Sequence, residues 1–391
     1  MAVAGISGGA AVDSTEEVKL TPGASLTVPL SIGDIKLTAL GTVTEVVDEK
    51  LYGLGHGFLN YGAVDLPLAT GYVNTVVASN YRSFKFGDSL DIVGAVRVDE
   101  ATGIYGEIGA EAKLIPMKLN IKRYNDRQRV LNCRLADNMT LTPLIANLVL
   151  RGAVLMRGTL PPEHLIKYKI NINIEGHKAI TFENISTSEG LKELITECIV
   201  PVGILLQNPY ERARIQSIDT DIRIAEENIL SRIWSVDLSD TNVKAGESIE
   251  VSVVIESYLR QKKKYTLELK IPENLAPGRY DLIIGGASAY EGFLRSTAPY
   301  KFRAQNLPGI IEALNNILNI RRDKLYMVLE LPASGVAIEE ATLPDLPASK
   351  SLLLQDAKRT LKLTPYTPWL EKQLDVDSVI IDKEVVRITV E

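Results

Sequence analysis

This 391-residue chain holds three histidines, and imidazole is the side chain best suited to moving protons near neutral pH. His164 follows Pro161-Pro162-Glu163 and His177 follows Glu175-Gly176, loop settings in which both are expected to be exposed. His56 differs. It stands in Leu54-Gly55-His56-Gly57-Phe58, and glycine neighbours permit close approach of another strand or of a substrate carbonyl. The sequence has no HExxH or CxxC, which argues against zinc. It also has no GxGxxG after a strand and no GxxxxGK[ST], which disfavours those two kinds of nucleotide site. No metal and no cofactor are called for. Cys198 lies in an apolar helical pattern far from Cys133, so a buried free thiol is expected rather than a disulfide.

A net charge of −6 argues against nucleic acid as a main partner, since phosphate binding needs a basic face. The run Lys262 to Lys264 reads as a hairpin tip, with an anionic docking site as the alternative. No apolar stretch reaches the roughly 18 to 20 residues of a membrane span. The opening Met1 to Val12 contains Gly8-Gly9 and has no basic flank, so no signal peptide is read there.

The elements that position these residues suggest a mainly β, multidomain chain with α+β parts. Residues 1–123 read as a glycine-rich, barrel-like β domain, with strands at Ser25 to Leu30, Ile35 to Val47 and Gly71 to Ala78 bounded by turn residues. Residues 124–230 read as an α+β module. One helix is capped by Thr142 with Pro143 at its first position. A second covers Ser186 to Leu206 with Ser188 as cap, and Pro201 should kink or end it. Residues 231–304 alternate as a β-sandwich of immunoglobulin or fibronectin type, at Ile249 to Ile255, Tyr265 to Ile271 and Tyr280 to Ile284. Residues 305–391 form a C-terminal α/β segment. Asn306-Leu307-Pro308 starts a helix striped by Ile310, Ile311, Leu314, Ile317 and Leu318, and Arg321 and Arg322 complement its dipole. The run Val376 to Val390 supplies closing strands.

The His56 segment leads on to Gly62, Val64-Asp65-Leu66-Pro67 and Tyr72-Val73-Asn74-Thr75-Val76. Ser83-Phe84-Lys85-Phe86-Gly87, Val93-Gly94-Ala95-Val96 and Gly103-Ile104-Tyr105-Gly106-Glu107-Ile108-Gly109 follow in order. Over Thr21 to Gly109 this set resembles the histidine-bearing half of the stage IV sporulation protein B type of serine peptidase. The resemblance runs on into large multidomain bacterial members through Asn208 to Glu211, Pro277-Gly278-Arg279 and Leu314 to Tyr326.

That family pairs a serine of a Gly-Met-Ser-Gly-Ser-Pro loop with the histidine of a Gly-His motif. The imidazole takes the hydroxyl proton while glycine-turn N–H groups hold the oxyanion. His56 matches the base; the alternative is a buried structural histidine in a tight turn. No Gly-x-Ser-Gly-Ser-Pro occurs in the chain, and the nearest approach is Gly5-Ile6-Ser7-Gly8-Gly9. Ser7 is thus the candidate nucleophile, or simply a residue of a loose terminus. Asp65, Asp88 and Asp99 are candidates for orienting the imidazole, or for ordinary turn roles. The resemblance implies a serine-peptidase-related protein, inactive as this chain for want of the serine loop. The alternative is a non-catalytic scaffold of the cell envelope. Protein or peptide partners, with homo-oligomers as an option, and an extracytoplasmic site go with either.

Overall fold

The computed structural model describes residues 19–391 except 79, 81–82, 188, 258–260, 339–340, 345, 348 and 351–362. Ser7 and Ser188 therefore lie outside the described residues. The chain is mainly β and built of several sheets, as its alternating hydrophobicity predicts.

Six strands make an antiparallel barrel. They are β1 (Ser25–Gly33), β2 (Leu37–Val47), β3 (Lys50–Gly53), β4 (Gly62–Val77), β5 (Phe84–Glu100) and β6 (Gly103–Ile108). Their order is β1-β2-β3-β6-β5-β4, and the pairs Leu26↔Thr70 and Thr27↔Ala69 close β4 onto β1. Leu26, Leu51, Leu66 and Leu68 are completely or almost completely buried, side chains of the size that fills a small barrel. Register shifts along the β4–β5 pair mark the bulges that let these long strands curve. At Gly94 a Cβ would sit 2.1 Å from the Glu107 carbonyl oxygen, so only glycine lets β5 and β6 approach that closely.

Strand β1 shifts register between Pro29 and Ser31, and its end pairs with β8 (Arg129–Ala136). Beyond β8 the sheet continues through β7 (Leu114–Arg123), β11 (Ile215–Ala225), β9 (Leu165–Ile174) and β10 (Ile180–Thr187). Helix α1 (Leu141–Leu155) buries Ile145, Val149 and Leu150. Helix α2 (Lys192–Leu206) buries Cys198, Val202 and Leu205.

Four strands, β12 (Leu230–Leu238), β14 (Ser248–Ser257), β15 (Lys263–Lys270) and β22 (Val379–Ile380), form a second sheet in the order β15-β14-β12-β22. Five more are β13 (Asn242–Val243), β16 (Gly278–Gly285), β17 (Lys324–Glu330), β21 (Trp369–Asp375) and β23 (Lys383–Val390). They form a third sheet in the order β13-β23-β16-β17-β21. Val251, Val253 and Leu267 from one, and Leu282, Ile284, Met327 and Ile388 from the other, fill one shared core. Helices α3 (Ala287–Thr297) and α4 (Leu307–Leu318), a 3-10 turn (Pro299–Phe302), and a small sheet of β18 (Gly335–Ile338), β19 (Ala341–Pro344) and β20 (Leu363–Pro365) complete the chain.

By contacts the chain gathers into two compact units. One comprises the chain through Thr159 with Ile170–Ala179 and Ile195–Ile222; the other comprises Leu160–Lys169, Ile180–Leu194 and Arg223–Glu391. The boundary expected after Arg123 falls in the hairpin joining β7 to β8, which pair from Leu114↔Ala136 to Ile121↔Arg129. The two sheets that begin near Ser231 draw β17, β21, β22 and β23 from beyond residue 304.

Several local expectations are corrected. Thr142 does not cap α1; Asn138 accepts from the N–H groups of Thr140 and Leu141, and the buried Thr142 hydroxyl donates to the Ala136 carbonyl. Ser186 and Thr187 belong to β10, and α2 runs through Pro201 to Leu206. Burial of Cys198, Val202 and Leu205 on either side of the proline outweighs the lost backbone hydrogen bond. The lysine run, by contrast, does stand at the turn of a hairpin: Lys262 lies between the antiparallel strands β14 and β15, and Lys263 and Lys264 open β15 opposite Ile255 and Val254. Arg321 and Arg322 lie past the end of α4; Arg321 pairs with Asp323 and Glu183, and Arg322 with Glu193. Helix α4 starts at Leu307, as expected, and Asn306 caps it by accepting from Gly309 N–H.

Both cysteines are free and buried. Burial pushes the Cys198 thiol from an ordinary 9.0 up to about 12, and raises Cys133 in the same direction. Neither thiol should react with a disulfide reagent near neutral pH until the protein is unfolded, when both should react. Because the Cys198 value is raised on folding, its contribution to stability is complete below about pH 9 and fades as pH climbs toward 12. Urea midpoints measured across that range check the sign.

Candidate functional site

Strand β3 ends at Gly53, and the chain turns sharply through Leu54 (φ 70°) and Gly55 (φ 69°) to reach His56. A leucine at positive φ is strained. The Leu54 N–H reaches the Thr42 carbonyl at 2.9 Å, and its side chain fills the space that a Cβ on Gly41 would occupy. Packing thus holds the strained turn. Gly57 N–H donates to the Ala101 carbonyl at 2.9 Å. A Cβ at Gly57 would fall 1.8 Å from Asn60 Oδ1 and 2.9 Å from the Glu100 carbonyl oxygen, so this position too must be glycine.

The rest of the loop hangs on one carboxylate. Asp99, near the end of β5, is 1% exposed. It accepts from the N–H groups of Phe58 (2.7 Å), Leu59 (2.7 Å) and Tyr61 (3.3 Å). Its role is to shape the backbone that carries His56; no bond to the imidazole is made. Asp65 forms an ion pair with Arg97 and accepts from Lys113 N–H. Asp88 accepts from the Asn74 amide at 2.8 Å.

His56 is exposed, and its Nδ1 lies 2.8 Å from the Gly57 carbonyl oxygen. A carbonyl only accepts, so Nδ1 carries the proton and, in the neutral ring, Nε2 keeps its lone pair. That is the tautomer of a general base. The expectation of a buried structural histidine does not hold for His56. Among the described residues no hydrogen bond joins the ring to a hydroxyl or a carboxylate. The loop thus presents an exposed imidazole that has no hydroxyl partner among the described residues, and Ser7, the candidate nucleophile, lies outside them.

The other histidines depart from expectation. His164 is 4% exposed: its Nδ1 is 2.8 Å from the Pro161 carbonyl, and its Nε2 has no partner among the described residues. The segment that looked like a surface loop leads directly into the buried start of β9, which carries the ring inward. His177 is half-buried at the turn after β9.

Asp99 is the residue whose role sequence reasoning missed. Followed by Glu100-Ala101-Thr102-Gly103, it read as a turn residue or as a carboxylate that orients the imidazole, whereas it holds the loop backbone. Among the described residues no cluster of histidine, cysteine, aspartate or glutamate could hold a metal ion, and no helix is long and apolar enough to cross a membrane. Compared with protein-family models, curated proteins and solved structures, the chain shows no match to any.

Proposed function

We propose that this chain is a serine-peptidase-related multidomain protein that does not cleave peptides by itself. Its barrel would correspond to the histidine half of the stage IV sporulation protein B type of peptidase, with His56 in the position of the base. One observation carries this reading. The His56 ring is fixed by the Gly57 carbonyl with Nε2 left as an acceptor, on a loop pinned by a buried aspartate. Those are the requirements for a base, and the acceptor has no hydroxyl partner among the described residues. A protein or peptide partner and a place outside the cytoplasm go with the same resemblance.

The alternative, a non-catalytic scaffold, draws on the β4–β5 hairpin. Past Gly71 the hairpin exposes Tyr72, Val76, Val77 and Phe84, apolar side chains of the kind that mediate assembly. In both readings the isolated chain should be unreactive toward a fluorophosphonate serine probe. Labelling that Ser7→Ala abolishes would overturn the inactive assignment.

A further inference from the structure

A cleft of about 690 Å³ opens in the C-terminal unit, lined by Tyr300, Lys301 and Arg303, by one face of α4, and by Tyr366, Pro368 and Trp369. That volume lies in the range of small-molecule sites. Two cations, Lys301 and Arg303, face one acidic side chain, the exposed Glu312, in its wall. This balance is opposite in sign to that of the chain, which carries −6. Three aromatic rings line it as well. Lys301 Nζ stands 4.7 Å from the centre of the Trp369 ring, and Tyr300 and Tyr366 lie 6.4 Å apart.

The decisive group is Arg303. Its Nη1 is buried and has no hydrogen-bond partner among the described residues. A buried guanidinium donor left unmade is costly, more so than a neutral one. The carboxylate behind Trp369 does not serve it. Glu371 already accepts from the Tyr290 hydroxyl at 2.5 Å, the Trp369 indole N–H at 3.0 Å and the Gln373 amide at 2.8 Å. The same bonds hold the indole in place as part of the wall.

We propose that this cleft binds a small organic anion, a carboxylate or phosphate joined to a planar ring. Arg303 takes the acidic oxygens as a charge-assisted donor, Lys301 adds a second cation, and the ring packs among Tyr300, Tyr366 and Trp369. This site is separate from the His56 loop, and its fate is independent of the peptidase reading.

The test uses the full chain with Trp234→Phe, so that of the two tryptophans only Trp369 reports by fluorescence. Phenylacetate, phenyl phosphate and neutral 2-phenylethanol are titrated in turn. Saturable quenching by at least one anion, and none by the alcohol, is expected. Whichever anion binds more tightly tells carboxylate from phosphate. Arg303→Met should weaken that binding at least about tenfold, the loss of one charge-assisted bond. Equal binding of the alcohol, no saturable response to either anion, or unchanged affinity in a folded Arg303→Met protein overturns the proposal. Should Arg303→Met fail to fold, Lys301→Met addresses the same cleft, and an unchanged affinity there overturns it equally.

Discussion

Replacing Asp99 with alanine is expected to cost about 3 kcal/mol of stability and to release the loop that carries His56. Three backbone N–H groups, those of Phe58, Leu59 and Tyr61, converge on this carboxylate. Hydrogen bonds to a charged acceptor contribute about 1.5–3 kcal/mol each. Full loss of three would exceed the estimate, but Phe58 and Leu59 are only half-buried and Tyr61 is exposed, so water replaces part of what is removed. Asp99→Asn keeps one acceptor oxygen and turns an amide donor toward other donors, so about half the cost should remain. His56→Ala is the control; an exposed side chain bonded only to its neighbour's carbonyl should change stability by no more than about 0.5 kcal/mol. Urea unfolding gives the magnitudes, and hydrogen exchange at Phe58, Leu59 and Tyr61 gives the location. Retained protection at those amides with an unchanged midpoint would mean that the strained turn at Leu54 and the Gly57–Ala101 bond hold the loop without Asp99.

What was legible in the sequence follows from how far each signal reaches along the chain. Strand β14, with alternate residues Ile249, Val251, Val253 and Ile255 all buried, announces itself by period alone. The start of α4 is as local: an asparagine accepts from the N–H three residues on, and the cap is visible in Asn306-Leu307-Pro308. Barrel closure is not local. It depends on Leu26 meeting Thr70, and on an order in which β6 sits between β3 and β5, neither of which leaves a trace in composition. The same holds for β12, whose partner β22 joins through Leu230↔Val379. A division into segments by character therefore separated strands that share one sheet.

The site shows the same limit in its chemistry. Glycine at 55 and 57 marked His56 as set in a special turn, and the turn is there. Which group shapes that turn was hidden, because Asp99 works across forty or so residues and the sequence offered three aspartates of equal standing. His164 was misplaced for a related reason. Two prolines signal a loop, but they do not say that the next residue already belongs to a buried strand whose Leu165 and Ile166 are 3% and 0% exposed.

The second large effect is expected at Arg123, where methionine should cost about 2–3 kcal/mol and loosen the end of α1. Arg123 is 5% exposed, and among the described residues its hydrogen bonds run to carbonyls rather than to a carboxylate. One terminal nitrogen donates to Val154 (3.1 Å) and Gly158 (2.9 Å), the other to Thr159 (2.9 Å). Val154 lies in the last turn of the helix, where carbonyls lack intrahelical donors and the dipole is negative. Two opposing terms decide the outcome. Burying a guanidinium without a full counter-charge is costly, and its Nε has no partner among the described residues. Methionine removes that cost but takes the donor from three carbonyls at once. Water can reach the exposed Gly158 and Thr159, while Val154, buried in the last turn with no intrahelical donor, is left unpaired, and that term is the larger. Arg123→Lys should recover little, since a single ammonium cannot span acceptors that a planar fork reaches together. Denaturant melts of both variants, with hydrogen exchange over residues 150–158, measure it. A more stable Arg123→Met protein would mean that the buried charge costs more than its hydrogen bonds return.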